Sequence, residues 1–245
     1  MSATEAEVIR WGAEGARVVP WRGDRTIAYL TPLIGARPTS SAFATRCVEQ
    51  LAGQGFGKVV TSALGPLEQT GFLAAGFQVE EDLQVLCHQL GDLPRRSPSF
   101  GDGRRCLRRA RANDHPAVLA VDNCAFSPFW HLDRTTLSEV LEATPRSRFC
   151  VVVDKAANGV LGYAITGRTR DRGFLQRLAV DPSCSRQGIG RALVIDGLCW
   201  LRRWRVERAM VNTQLGNDAA LGLYESLGFR RQPLRLAVLS TGLSR

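Results

Sequence analysis

The chain has 245 residues, 44% hydrophobic and 22% charged, with a formal net charge of +9. That length allows one large domain or two small ones, each able to bury a core, and the composition is ordinary for a globular protein. No apolar run approaches the roughly 20 residues that a membrane helix needs. The polar, acidic start, Met1 to Glu7, does not read as a signal peptide, so a cytoplasmic protein with no membrane part is expected. The seven cysteines are scattered, odd in number and without a Cys-x-x-Cys pair, and the three histidines are not paired at ligand spacing, so no metal site is expected. The excess of arginine suits an anionic cofactor, an acidic substrate or nucleic acid.

In chain order, two short strands are expected near Ala16–Trp21 and Thr26–Thr31, with a turn at Arg22-Gly23-Asp24. A helix follows from Ser41 to Ala52, capped by Ser40 or Ser41 and ended by Gly53 and Gly55. Lys58 to Leu64 reads as a strand, Pro66 opens a second helix that Gly76-Phe77 ends, and Leu83–Leu90 reads as an apolar strand. Residues 91–103, rich in proline, glycine, serine and arginine, contain the linker, 93–103, between a first half, 1–92, and a second, 104–245.

The second half starts with a strand near Cys106–Arg111. A helix capped by Asn113 or Asp114 runs to Phe126, and another from Asp133 or Thr135 to Thr144-Pro145. Phe149–Asp154 and Val160–Thr166 form a hairpin around Asn158-Gly159, and Gly173–Asp181 is the next strand. A helix from Gly188 to Arg203 carries Ile189, Leu193, Gly197, Trp200 and Trp204 at helical spacing. A strand at Ala209–Thr213, a helix at Asn217–Leu227 with Gly228 after it, and a strand at Leu234–Leu239 complete the chain. The order β-α-α-β-β-β-α-β-α-β predicts an α/β fold, a mixed sheet with helices on both faces.

The stretch from Leu175 to Arg191 organises this half. Leu178-Ala179-Val180 has the branching of a buried strand end, and Asp181-Pro182 stops it. Gly188-Ile189-Gly190 then opens the helix. Its first N–H groups lack partners within the helix and point, with the dipole, at any anion placed there, a phosphate or pyrophosphate suiting best. Arg186 and Arg191 add charge. No Gly-Lys-Ser/Thr follows, and the third glycine of a dinucleotide fingerprint is missing.

The chain also matches itself. Gly76-Phe77 falls on Gly228-Phe229, helix 41–52 on helix 188–203, and strand 58–64 on strand 209–214. The first copy carries Ala36-Arg37-Pro38 in place of the glycine loop, where proline removes an N–H, and Phe72 in place of Tyr224. It is therefore expected to bind no phosphate and to do no chemistry.

Leu-Ala-Val-Asp-Pro (178–182), Arg-Gln-Gly-Ile-Gly-Arg-Ala-Leu (186–193) and Asn-Asp-Ala-Ala-Leu-Gly-Leu-Tyr-Glu-Ser-Leu-Gly-Phe (217–229) resemble, in residues, order and spacing, the GCN5-related N-acetyltransferase (GNAT) family, over about 104–240. Within it the segments are most similar to the ribosomal-protein N-terminal acetyltransferases. The first half resembles the same family as a degenerate repeat. The resemblance implies acetyl-coenzyme A as cosubstrate, no metal, and an amine-bearing acceptor, small molecule or protein. It implies that the pantetheine arm pairs with the backbone of Leu178, Ala179 and Val180 in a gap between parted strands. The pyrophosphate would sit on the N–H groups of Arg186, Gln187, Gly188, Ile189, Gly190 and Arg191, with Asn217 bonding the pantetheine. Tyr224 would protonate the leaving thiolate. Phe126, Phe129, Trp130 and His131 fall where the family builds its acceptor pocket, although aromatic core packing explains them as well.

The sequence departs from the family in three places. Ser185 stands at the first loop position, where arginine or glutamine is usual. Asn212 replaces the glutamate base of the N-terminal acetyltransferases, and Phe174, Leu175 and Gln176 offer no carboxylate at the other base position. Water, Asp171 or an amine of low pKa is left as the base. The missing carboxylates motivate an alternative, a non-catalytic coenzyme-A sensor or scaffold. The arginines at 202, 203, 205 and 208 lack interleaved aromatics, so a nucleic-acid surface is not favoured. Oligomeric state is not readable.

Overall fold

The computed structural model describes residues 6–91, 93, 100–101, 103–157 and 159–243. Pro94 to Ser99 of the expected linker and Asn158 of the expected hairpin turn lie outside the described residues. By packing, the chain divides into two units. One holds the chain through Val85, together with Asn212–Asn217 and the residues from Gln232 onward; the other holds Leu86–Val211 and Asp218–Arg231.

The first unit contains β1 (Glu7–Trp11), β2 (Glu14–Trp21), β3 (Asp24–Pro32), α1 (Ser41–Gly53), β4 (Lys58–Thr61), α2 (Pro66–Ala74) and most of β5 (Gln78–His88). The last strand of the chain, β11 (Arg230–Gly242), lies between β4 and β5, in the order β1-β2-β3-β4-β11-β5. β3 and β4 are parallel; β1, β2 and β3 form an antiparallel meander. Phe43, Cys47 and Leu51 of α1 and Phe72 of α2 pack with Ala28, Leu30, Val59, Ala237 and Leu239. Leu64 and Ala237 exchange backbone hydrogen bonds of 2.8 and 3.0 Å, which fixes the register of the incoming strand. Sequence patterning misses β1, which buries only Ile9, and the exposed first half of β11, because a strand that faces water leaves no apolar signal.

The second unit contains β6 (Arg105–Arg109), α3 (His115–Ala125), α4 (Arg134–Glu142), β7 (Arg146–Asp154), β8 (Gly159–Arg168), β9 (Arg172–Val180), α5 (Ile189–Arg203), most of β10 (Arg208–Gln214) and α6 (Asp218–Ser226). The strand order is β6-β7-β8-β9-β10, antiparallel except for the β9–β10 pair. The mixed sheet has helices on both faces, as the element order predicted. Alternation along β7 sorts them: Val151 and Val153 pack with Val118, Val121 and Leu137 of α3 and α4, while Cys150 and Val152 pack with Ile189 and Leu193 of α5.

α5 is seated by a buried ion pair. Arg148 Nε and Nη2 donate to the two carboxylate oxygens of Asp196 at 2.6 and 2.8 Å, and the carboxylate is 2% exposed. Gly197 is required on the same face, because a Cβ there would stand 2.4 Å from Thr166 Oγ1. Trp204, expected on the apolar stripe, is instead 52% exposed at the helix end, with the Arg168 guanidinium 4.3 Å from its ring.

The two copies end their helices alike. Phe77 N–H bonds to Phe72 O and Phe229 N–H to Tyr224 O, both at 3.1 Å, across Gly76 and Gly228, each at φ +89°. Phe56 N–H likewise bonds to Leu51 O and Val206 N–H to Leu201 O, across Gly55 and Arg205 at positive φ. The chain is a tandem repeat in which the first copy lacks the leading strand and two helices of the second. No helix among the described residues is long and apolar enough to cross a membrane.

Removing one partner of the buried pair leaves a charge unmatched. Arg148→Met should therefore lower stability by about 3 kcal/mol, and adding Asp196→Leu should recover much of that loss. Urea unfolding of the two single variants and the double variant measures both.

Candidate active site

The site is built where β9 leaves β10. The two strands pair only at Arg172–Arg208, Gly173–Ala209 and Phe174–Met210. From Leu175 to Val180, β9 keeps β8 on one side and has no ladder with β10 on the other. The β8 register steps from Ile165–Arg177 to Thr166–Leu175, so Gln176 is a bulge. A bulge bends its strand and resets which residues share a face. Leu175 and Leu178, three apart, therefore both pack on the α5 side, whereas Ala179 packs with the α3 side.

The loop after β9 is built by Asp181, whose Oδ1 accepts from Ser183 N–H at 2.9 Å and from Ser183 Oγ at 2.6 Å. Arg186 and Gly188 then take left-handed conformations, φ +58° and +77°. The first bond within α5 runs from Ala192 N–H to Gly188 O, so the N–H groups of Ile189, Gly190 and Arg191 have no acceptor inside the helix. A Cβ at Gly188 would meet nothing within 4 Å, so the turn faces open space. Arg105 Nη1 donates to Gln187 O at 2.8 Å. In a trans peptide the next N–H points opposite to that carbonyl, so Arg105 turns Gly188 N–H away from itself. Sequence reading missed Arg105, which lies 82 residues upstream of its partner.

Tyr224 closes the group from α6. It is 5% exposed and packs with Phe229, ring centroids 5.6 Å apart, in the cluster that Leu175 and Leu178 adjoin. Its neighbour Leu223 reaches Gly190, where a Cβ would stand 3.2 Å from Leu223 Cδ2 and 3.6 Å from Val180 Cγ2. Burial pushes the phenol pKa up, so Tyr224 stays protonated.

Phe129 and Trp130 sit on a short turn, Pro128–Trp130, in edge-to-face contact at 5.0 Å. Trp130 O accepts from Arg177 Nη2 at 2.7 Å. Arg177 also forks onto Asp122, with Nε to Oδ2 at 2.8 Å and Nη2 to Oδ1 at 2.9 Å. Tyr163 OH donates to Asp122 Oδ2 at 2.5 Å and Leu132 N–H to Oδ1 at 2.8 Å. Asp122, Tyr163 and Arg177 escaped the sequence reading. The available signal was a carboxylate one helical turn after Val118, on an apolar face.

The structure thus gathers Leu178, Ala179, Val180, the turn 186–191 and Tyr224 in one unit, with the Phe129–Trp130 turn tied to β9. Asn212 is exposed on β10, and Asn217, whose N–H bonds to Gln214 O at 3.1 Å, follows it; both pack with the first unit. Asp171 precedes β9, is 56% exposed beside Arg172, and stands at the opposite end of that strand from Val180. Among the described residues no cluster of three His, Cys, Asp or Glu side chains is placed to hold a metal ion.

The first unit lacks these features. β3 pairs with β4 from Ile27 to Leu30, and Ser62 N–H adds a bond to Leu30 O, so the strands do not part. The start of α1 is capped from within. Ser40 Oγ accepts from Phe43 N–H, and Ser40 N–H and Oγ donate to the Glu14 carboxylate at 2.5 and 2.9 Å. A Cβ at Gly71 would stand 1.8 Å from Thr39 O, so α2 presses on the same turn. A groove of about 470 Å³ beside it has no acid, base or thiol in its lining.

The model of the acetyltransferase (GNAT) family matches residues 115–229. The ribosomal protein bS18-alanine N-acetyltransferase of Escherichia coli K12 is 40% identical over 123 residues, covering 50% of this chain and 78% of the relative. The mycothiol acetyltransferase of Rhodococcus erythropolis is 30% identical over 132 residues, covering 48% of this chain but 44% of the relative, so the match spans less than half of that protein. Among solved structures, a tandem GNAT protein from the clavulanic acid biosynthesis pathway has a TM-score of 0.73 at 15% identity, covering 97% of this chain and 82% of its own. A GCN5-related N-acetyltransferase from Kribbella flavida has a TM-score of 0.64 at 13% identity, covering 97% and 90%.

Burial raises the pKa of Tyr163 as well as that of Tyr224. Above the ordinary value of 10.0 the unfolded chain releases both protons and the folded chain keeps them. Stability should therefore be unaffected by these groups below pH 10 and fall as pH rises beyond it. Tyr224→Phe should flatten that fall in urea titrations.

Proposed function

The chain belongs to the acetyltransferase (GNAT) family, and we propose that it moves an acetyl group from acetyl-coenzyme A to a primary amine by direct attack in a ternary complex. The observation that carries this reading is the parting of β9 from β10 after Phe174–Met210, directly before a turn whose amides are unspent. Acetyl-coenzyme A supplies a thioester carbonyl activated toward amines. The open edge of Leu178–Val180 offers backbone groups to pair with the amides of its arm. The N–H groups at 186–191 receive the diphosphate.

In the transfer a neutral amine forms the new C–N bond, and the oxyanion draws on N–H donors of the open edge. The C–S bond then breaks, and Tyr224 donates its proton to the departing sulfur. The phenol is present as the acid at any working pH, and the proton it gives up is replaced from the water that takes the amine's proton. The acceptor amine approaches along the Phe129–Trp130 turn and gives its proton to water, since neither Asn212 nor the 174–176 segment supplies a carboxylate.

The same lack of a carboxylate supports a second reading, a coenzyme-A sensor without catalysis. The two separate on one assay: thiol release from acetyl-coenzyme A in the presence of alanine-terminated peptides and small primary amines. Release above the rate in water supports the enzyme; tight binding by calorimetry without release supports the sensor.

Gly188→Pro removes an N–H and forbids the left-handed turn, so acetyl-coenzyme A binding should weaken by about a hundredfold or more in calorimetry. Tyr224→Phe should lower kcat by about a hundredfold and leave acetyl-coenzyme A affinity within about twofold. Equal turnover in that variant would remove Tyr224 from the reaction.

A further inference from the structure

We propose that Asp122 and Arg177 form a buried clamp that fixes the 126–132 turn against β9 and so determines which amines are accepted. The proposal rests on the acetyl-transfer reading above. One carboxylate, Asp122, is 0% exposed and takes four hydrogen bonds: two from the Arg177 fork, one from Tyr163 OH and one from Leu132 N–H. The guanidinium spends its remaining reach on the same turn. Its Nη2 donates to Trp130 O at 2.7 Å, and its Cζ lies 3.6 Å from the centre of the Phe126 ring. Phe126, Trp130 and Leu132 are therefore all held by a single ion pair, from α3 on one side and β9 on the other.

The bulge makes this possible. With Gln176 set out of register, Arg177 pairs opposite Ile165 and shares the α3 side with Ala179, while its neighbour Leu178 remains on the α5 side. Arg177 is thus adjacent in sequence to the first residue of the Leu178–Val180 segment and opposite to it in direction. Whatever amine lies between that edge and the turn meets a wall whose backbone cannot give. A wall of this kind selects by shape, because misplacing the reacting nitrogen by even 1 Å is costly. Buried charge is not needed for packing, since apolar residues of similar volume serve as well or better. The fork instead supplies two fixed directions, which a lysine cannot reproduce. Because every Asp122 oxygen is engaged, this carboxylate is a positioning group and not the base.

The test uses the full chain with Arg177→Lys, with Asp122→Asn as a second variant that keeps the buried volume, and with Tyr163→Phe, which leaves the fork intact. Hydrogen exchange is followed on peptides covering 127–132 and on α5, and initial rates are measured with acetyl-coenzyme A, alanine-terminated peptides and small alkylamines. Arg177→Lys and Asp122→Asn should speed exchange at 127–132 by about tenfold and leave α5 unchanged, raise acceptor KM by about tenfold, and narrow the spread of rates across the panel, with KM for acetyl-coenzyme A within about twofold. Tyr163→Phe should alter acceptor KM by less than about threefold. Native exchange in both fork variants would show that no clamp exists. Faster exchange with unchanged acceptor KM and ranking would show that the turn does not select. A parallel rise in KM for acetyl-coenzyme A would show a general structural role. If the unaltered protein binds acetyl-coenzyme A but acetylates no amine, the reading beneath the proposal fails, and the acceptor role with it.

Discussion

Three residue pairs hold β9 to β10, and then the ladder stops. Everything distinctive about the second unit depends on that interruption. A parallel pair of this length would ordinarily continue, since each lost rung leaves an N–H or C=O to be satisfied elsewhere. Here Gln176 bulges out of the β8 register just after the ladder with β10 ends, and the last six residues of β9 pair with β8 alone. The strand edge without a β10 ladder, the left-handed turn at Gly188 and the unspent amides of α5 then follow one another along a single length of chain.

The first unit shows what the same architecture becomes without the interruption. Its parallel pair runs on to Leu30, its helix start is capped by Ser40 and Glu14, and the ring matching Tyr224 is Phe72, fully buried against Phe77. The helix ends of the two copies are still superposable bond for bond, down to the φ of Gly76 and Gly228. What persisted is what packing requires; what changed is what a ligand would need. The last strand of the chain places Ala237 and Leu239 in the first unit's core.

Much of this was legible in the sequence where apolar periodicity or a special backbone residue marks the chain. The glycine turn, both helix-ending glycines, the order of elements in the second half and the repeat itself all leave such marks. Three kinds of feature do not. Strands that face water, β1 and the start of β11, carry no alternation. A bulge is a relation between two strands, so Gln176 looks like any other strand residue. Contacts made across long sequence separation, Arg105 to Gln187 or Arg177 to Asp122, are invisible until the chain is folded.

The Glu14 carboxylate gives the first unit an internal counter-ion at the helix end, where the second unit leaves amides open. One half of the chain therefore completes its electrostatics on folding, whereas the other keeps amides that only an added anion would complete. An anion bound at those amides would add to the stability of the folded chain by mass action. A duplicated helix start that has internalised its own carboxylate needs no such ligand to be complete.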